Sequence, residues 1–131
     1  MAGLTDAQGA FIRDNAFYCV LTTLREDGSP HSTVVWVDEV DGKLLLNTVI
    51  GRVKERHLRR DPRASVVVLD AASGYRWVSV SGTVRLTTEN ANADIERLSQ
   101  KYDGQPFREL AEGEVRITAY LTPVQVTGYG V

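Results

Sequence analysis

Polar and apolar residues alternate along residues 75–86, which show the clearest strand pattern in the chain. The even positions from Val78 to Leu86 are apolar or glycine, whereas the odd positions are mostly polar and begin with Tyr75 and Trp77. A period of two places successive side chains on opposite faces of a sheet. The pattern therefore predicts a strand with one face in the core and one polar face that has two aromatic side chains at one end.

Shorter runs rich in β-branched residues predict the rest of the sheet. The turn signals "EDGSP" and "DG" separate the first three runs, which we expect to form an antiparallel meander. Pro123 interrupts the last run, and a proline there suits an edge strand or a bulge. The predicted strands cover residues 17–25, 31–40, 43–48, 64–70, 75–86 and 115–130.

Helical signals occur between these strands. Thr5 is followed three residues later by Gln8, the spacing of a capping box at the start of a helix. A second helix is expected to end before Pro62, because the residue preceding a proline disfavours the helical region. The predicted helices cover residues 4–15, 51–61 and 89–101, with a short helical turn at 107–112.

The order of these elements predicts a mainly β protein with six antiparallel strands. Several strands are apolar on both faces, as in "VVWV" and "VVVL", so both sides of the sheet must be covered. A closed barrel covers them, and so does a sheet buried in a dimer. With 131 residues and neither a repeat nor a linker, residues 1–131 are expected to form a single domain.

Composition limits the class of protein to which this chain can belong. No apolar run approaches the roughly 20 residues that span a bilayer, and the N-terminus lacks the pattern of a signal peptide. The lone Cys19 lies in an apolar stretch, which favours a small buried residue over a nucleophile. We therefore expect a cytoplasmic protein without membrane contact. Because Cys19, His31 and His57 lack ligand spacing, no metal site is expected.

Positive charge is concentrated in residues 51–63, "GRVKERHLRRDPR", which we call the basic segment. It holds six of the 15 Lys and Arg residues but only two acids, although the chain has a net charge of −2. Arg52 and Lys54 fall in the first helical turn, where the helix dipole is already positive. A bound anion would turn this unfavourable arrangement into a site, and Gly51 would let it approach the backbone. The segment is equally consistent with a solvated charged helix.

The two tryptophans differ in their surroundings. Trp36 alternates with Ser32 and Val34, which suits a core residue as well as a residue beside a cofactor. Trp77 lies on the polar face of its strand, which favours a surface covered by a ligand or by another protomer. Nucleic-acid binding is disfavoured, because the chain is acidic overall and shows one basic patch without a recognised binding module.

The order of hairpins and basic segment resembles the split β-barrel flavoproteins of the pyridoxamine-phosphate-oxidase type, and within them the branch that binds the deazaflavin coenzyme F420. The matching stretches are "LTTLREDGSPHSTVVWV", "NTVIGRVKERHLRRDPRAS", "YRWVSVSGTVRLT" and "VRITAYLTPVQVTGYG". The second stretch is the specific one, and the likeness covers nearly the whole chain. It implies a six-stranded antiparallel split β-barrel of the FMN-binding type with two to three short α-helices.

The resemblance also implies a homodimer with a flavin-type cofactor in a groove between two barrels. The cofactor phosphate would be held chiefly by Arg52 and Lys54, and the ring system would lie along the second strand. His57 stands where relatives often have Asn, and Trp77 with Tyr75 would cover the cofactor of the other protomer. The implied cofactor-binding residues are Ser32, Val34, Trp36, Thr48, Gly51, Arg52, Lys54, Arg56, His57 and Trp77.

The activity implied by the resemblance is hydride transfer from reduced F420 to a small unsaturated organic substrate, with the coenzyme supplying the chemistry. No catalytic side chain is assigned. The proton source could be His31, a tyrosine or water, and His31 is the best candidate for a general acid. The spaced Gly51, Arg52 and Lys54 differ from the adjacent Ser-Arg-Lys of the FMN-using oxidase, and its pyridoxal-phosphate-binding C-terminal region is not found. Vitamin B6 oxidation is therefore not expected. FMN binding and a non-catalytic carrier of a cofactor or haem are the alternatives.

Overall fold

Seven strands form one antiparallel sheet in this computed structural model, which describes residues 3–131. No helix in this range is long and apolar enough to cross a bilayer. The elements in chain order are α1 Asp6–Arg13, β1 Tyr18–Leu24, β2 Pro30–Val35, β3 Asp38–Val40, β4 Lys43–Val49, α2 Val53–Arg60, β5 Arg63–Leu69, β6 Trp77–Thr87, α3 Ala91–Asp103 and β7 Arg116–Tyr129.

The single strand predicted over residues 31–40 is in fact two strands at opposite edges of the sheet. The strand order is β2-β1-β5-β6-β7-β4-β3, so β2 pairs only with β1, and β3 pairs only with β4. Only Trp36 and Val37 separate the two edge strands in the chain. The edges therefore meet at this corner and the sheet curls into a split barrel. The fold class is confirmed, but the predicted meander and the count of six strands are wrong.

The capping box predicted for the first helix and the end of the second helix before Pro62 are confirmed, although both helices are slightly shorter than predicted, at Asp6–Arg13 and Val53–Arg60. Thr5 Oγ1 accepts a hydrogen bond from the Gln8 N–H at 3.1 Å, and Gln8 Oε1 accepts one from the Thr5 N–H at 2.9 Å, completing the capping box of α1. Helix α2 ends at Arg60, just before Pro62. The local sequence signals therefore suffice to predict these features without knowledge of the tertiary structure.

Helix α3 begins two residues later than predicted, because Asn90 adopts a φ of +61°. The short helical turn predicted at 107–112 is wrong, since the chain there is a loop. The Glu114 carboxylate accepts the Ala111 N–H at 2.8 Å and two bonds from the Arg108 guanidinium at 2.8 and 3.0 Å. These side-chain bonds replace the helical backbone bonds in holding the loop.

Apolar side chains cover both faces of β4. Its even positions, such as Leu44 and Leu46, belong to the core inside the barrel. On the other face, Leu45 packs with Ile95 and Leu98 of α3. The closing of the barrel and the docking of α3 therefore bury both faces without a second chain.

Pro123 lies at a bulge, as one of the two sequence alternatives predicted. Ser81 of β6 pairs with Gln125 and Gly82 pairs with Pro123, so Val124 is one extra residue on β7. Strand β7 is internal, between β6 and β4, which makes the edge-strand alternative wrong.

Candidate functional site

The start of α2 carries cations and lacks a side-chain cap. Arg52 is the N-cap residue and makes no capping hydrogen bond, so the first N–H groups of α2 are open to an acceptor. Gly51 has a φ of +96°, which glycine tolerates, and turns the chain into the helix. Its own N–H already donates to Glu55 Oε1 at 2.8 Å. The backbone contact expected from Gly51 is therefore not available from its N–H, and the helix amides must supply it.

Lys54 is a half-buried cation without an anion. Its ammonium donates to Thr33 Oγ1 at 3.3 Å, and burial, followed by the nearby charge of Arg52, lowers its pKa. No carboxylate in residues 3–131 lies within ion-pair distance of Arg52, Lys54 or Arg56. These three residues, at the start of the basic segment, form what we call the free cation group.

The remaining arginines of the basic segment have partners. Arg59 pairs with Glu55 at 2.9 Å, and Arg63 pairs with Asp61 at 2.8 Å. Arg60 donates to the backbone carbonyl of residue 24 at 2.6 Å. If α2 were only a solvated charged helix, nothing would explain why some of its cations have partners and others do not. The division favours an anion site at the helix start.

Thr48 provides an unsatisfied polar group below the same helix. Its Oγ1 is buried and has no hydrogen-bond partner within the described part of the chain. It lines a small cavity of about 10 Å³ together with Lys54 and Leu58, and this cavity has room for about one water molecule. Because buried polar groups are nearly always bonded, a water or a ligand oxygen is expected beside Thr48.

A groove of about 340 Å³ opens beside the free cation group. This volume lies near the lower end of the range for small-molecule sites, so it fits one ring system with its substituents. Ile95, Leu98, Trp36 and Phe107 give it apolar and aromatic surface. Its polar side chains are Asn47, Arg52, Arg108 and Arg116. We call this cavity the groove.

The Trp36 side chain is held rigidly in the groove. Its ring stacks on Tyr102 with the centroids 5.5 Å apart and an interplanar angle of 12°. The Tyr102 hydroxyl donates to the Phe17 carbonyl at 2.6 Å and accepts the Val37 N–H at 3.3 Å. Trp36 is therefore a fixed aromatic surface on which a planar ring can stack.

The sequence matches the family described as pyridoxamine 5'-phosphate oxidase over residues 4–122. The chain belongs to this family. Among solved structures it is similar to an F420 reductase, with a TM-score of 0.80, 24% identity, and coverage of 90% of this chain and 94% of the other. It is also similar to a conserved hypothetical protein from Mycobacterium tuberculosis, with a TM-score of 0.77, 24% identity, and coverage of 96% and 84%. General Stress Protein 26 from Bacillus anthracis has a TM-score of 0.70 at 16% identity, with coverage of 92% and 89%. At these identities the likeness shows the shared fold.

The structure brings together five of the residues that the family resemblance implied. Val34, Trp36 and Arg52 line the groove, and Thr48 and Lys54 line the small cavity next to it. They come from β2, β4, the β2–β3 corner and the start of α2. The pyridoxamine 5'-phosphate oxidase fold therefore joins the predicted cations to an aromatic groove.

His57 is not part of this arrangement. It is 9% exposed, its Nδ1 lies 2.9 Å from Thr23 Oγ1, and burial, followed by the charge of His31, lowers its pKa. The His31 ring lies edge-on to His57, with 5.3 Å between the centroids. Neither histidine lines the groove. The structure therefore places the expected proton donor and one expected cofactor contact away from the candidate site.

Three further expected contacts lie on the surface. Arg56 is exposed on α2, one turn after Arg52. Ser32 faces the outer side of the sheet, where its hydroxyl lies 2.8 Å from that of Thr22. Trp77 is on the outer face of β6 opposite Tyr129. Within one chain, Ser32 and Trp77 do not reach the groove.

The closing strand and the loop before it contribute residues to the groove that are not among those predicted from the sequence. Arg116 is 5% exposed and is the one charged residue in the largely apolar stretch "VRITAYL". A charge in such a stretch signals a buried, partnered group, so this residue could have been identified. Asn47, Phe107 and Arg108 carry no comparable local signal.

We expect Lys54→Met to leave the ligand-free protein at least as stable as the wild type at pH 7. The ammonium is partly desolvated, lies near the charge of Arg52 and has only a hydroxyl partner. Replacing it with methionine should therefore cost little free energy of unfolding. Urea unfolding provides the measurement. Lys101→Met is the matched control. Lys101 is also partly buried, but its ammonium donates to the Ile12 and Val37 carbonyls at 2.7 Å each and lies 3.6 Å from the Asp38 carboxylate, so about 3–5 kcal/mol should be lost. A loss above about 1 kcal/mol for Lys54→Met would contradict the unpaired state of this lysine.

Proposed function

We propose that this protein binds coenzyme F420 and transfers a hydride from its reduced form to a small unsaturated organic substrate. The observation that carries the proposal is the half-buried Lys54 ammonium, which has no anion and lies beside Arg52 at the uncapped start of α2. A phosphate group on the coenzyme would supply the missing anion. The similarity to an F420 reductase favours the deazaflavin over FMN.

The residues present fit such a coenzyme. Arg52, Lys54 and the first amides of α2 would hold its phosphate, and Arg56 would add a third positive charge. Thr48, whose buried hydroxyl lacks a partner, supports a bound oxygen at the same end of the barrel. The ring would lie in the groove against Trp36 and Val34. When bound, the reduced coenzyme supplies the hydride and is itself oxidised.

The chain's own contribution is to anchor, orient and shield. The apolar surface of Ile95, Leu98 and Phe107 keeps water away from one side of the bound ring. The residues that line the groove include no His, Cys, Asp or Glu. Tyr18 has the one side-chain hydroxyl in this lining. We therefore assign the proton that completes the reduction to Tyr18 or to water, rather than to His31, which the sequence suggested but which does not line the groove.

We also propose a homodimer that covers the outer face of the sheet. Tyr18 is 63% exposed, Val34 65% and Tyr129 61%, so large apolar side chains face solvent in a single chain. Strand pairing aligns the apolar side chains in two rows, Val34–Val20–Val67 and Tyr18–Leu69–Trp77–Tyr129. A second copy on this face would bring its Trp77 toward the groove, which would be incomplete in one chain. Sedimentation analysis should therefore give twice the chain mass.

Titration of the purified protein with F420 and with FMN tests the cofactor assignment. We expect F420 to bind more tightly, and its shorter-wavelength absorption distinguishes it from FMN. Reduced F420 should then be oxidised in the presence of a conjugated acceptor. Tight FMN copurification would instead make this a flavin-dependent member of the family. Binding of F420 without oxidation by any acceptor would indicate a carrier.

A further inference from the structure

Arg116 is a buried arginine with one unbound nitrogen, and it lines both the groove and a neighbouring cavity that it shares with Asn90 and Leu110. Its Nε donates to Asn47 Oδ1 at 2.9 Å, and its Nη1 donates to Glu114 Oε2 at 2.9 Å. Its Nη2 has no hydrogen-bond partner in residues 3–131, although the side chain is only 4% exposed and lines the groove. A guanidinium has five donors in a rigid fork, so donors remain for a ligand.

Both acceptors of Arg116 are themselves fixed. Glu114 also accepts from Arg108 and from the Ala111 N–H, and the bond from Arg108 is the main reason why its pKa is lowered. Asn47 donates to the Ala91 carbonyl at 2.9 Å. Because every partner is held in turn, the Arg116 guanidinium is preorganised and loses little freedom when it binds a ligand.

The charge around Arg116 is incompletely balanced. Glu114 serves both Arg108 and Arg116, and Arg52 adds a third cation that has no carboxylate. Both guanidiniums lie near the Phe107 ring, whose centroid is 4.9 Å from the guanidinium carbon of Arg108 and 5.1 Å from that of Arg116. The groove therefore combines an aromatic wall with an excess of hydrogen-bond donors.

We propose that Arg116 recognises the ligand in the groove, by donating from Nη2 to a carbonyl or carboxylate oxygen of a planar conjugated molecule. A charge-assisted bond of this kind suits an oxygen that is anionic or becomes more negative as a hydride is accepted. This inference rests on the proposed function, in which the groove holds the coenzyme ring and the substrate. The oxygen can belong to the coenzyme ring or to the substrate, and the chemistry of recognition is the same for both.

Ligand binding to Arg116→Gln tests this inference. The probes are F420, FMN and trans-cinnamate, a planar conjugated carboxylate, and the dissociation constants are measured by fluorescence or calorimetry. The affinity for at least one probe should fall about tenfold to hundredfold. Weaker binding of F420 alone assigns the oxygen to the coenzyme ring, and weaker binding of cinnamate alone assigns it to the substrate. Arg97→Gln is the matched control, because Arg97 pairs with Asp38 and does not line the groove.

A second measurement on the wild type avoids dependence on the folding of the variant. The NMR signal of the Arg116 Nε–H should shift on addition of a probe, whereas that of Arg97 should not. If no probe shifts the Arg116 signal, the inference is wrong even where F420 binds. If F420 does not bind but cinnamate shifts the signal, the inference holds and the proposed function fails.

Discussion

Replacing Arg52 and Lys54 together with alanine is expected to weaken F420 binding by about 3–6 kcal/mol, or roughly 10²- to 10⁴-fold. Each cation would lose a charge-assisted bond to the phosphate, and such bonds contribute about 1.5–3 kcal/mol each. The Lys54 ammonium lies partly out of solvent, so its bond should be at the upper end of this range. Equilibrium titration with F420 gives the result.

A second pair of substitutions controls for the change in net charge. Arg63→Ala with Lys43→Ala also removes one arginine and one lysine, but Arg63 pairs with Asp61 and Lys43 lies on the surface at the start of β4. This pair should change the affinity by less than about threefold. Equal losses for the two pairs would mean that general charge, and not the start of α2, attracts the ligand.

Gly82→Ala is expected to destabilise the fold by at least about 3 kcal/mol. An added Cβ would lie 1.9 Å from the Thr122 carbonyl oxygen and 3.2 Å from the Pro123 Cα. These are backbone atoms of the β7 bulge, so they cannot move without disturbing the pairing of β6 with β7. Urea unfolding measures the loss.

Gly9→Ala serves as the opposite case. Its added Cβ would meet the Glu39 side chain at 3.5 Å, an ordinary contact, and alanine is the better helix former in α1. This variant should be more stable than the wild type by up to about 1 kcal/mol.

A stability for Gly82→Ala within about 1 kcal/mol of wild type would show that the bulge does not require glycine.

Features encoded by neighbouring residues could be predicted from the sequence. The capping box of Thr5 and Gln8, the end of α2 before Pro62 and the two faces of β6 all depend on spacings of a few residues. The missing N–H of Pro123 limits its position to an edge strand or a bulge, and the structure has the bulge. For such features the tertiary structure adds little to the local pattern.

Features that depend on distant partners could not be predicted. The change of sheet edge at Trp36 and Val37 is invisible to alternation, because the pattern records which face a residue occupies and not which strand it pairs with. The bond between Arg116 and Asn47 joins residues 69 positions apart. The loop before β7 differs from the predicted helical turn for the same reason, because Glu114 holds it through side-chain bonds to Arg108 and Ala111.

The candidate site shows the same division. The sequence located the cations and suggested an anion, but only the structure separates the free cation group from Arg59 and Arg63, which have carboxylate partners. It also shows that the Gly51 N–H is already bonded and that His57 faces the interior. Each of these distinctions depends on where carboxylates and hydroxyls of other segments lie.

The pKa of the Lys54 ammonium, measured by NMR with and without F420, tests the central claim most directly. In the free protein, burial and Arg52 should hold this pKa below the ordinary lysine value of 10.5. A bound phosphate favours the charged form, so the pKa should rise when F420 binds. Binding of F420 that leaves the Lys54 pKa unchanged would contradict an anion site at the start of α2.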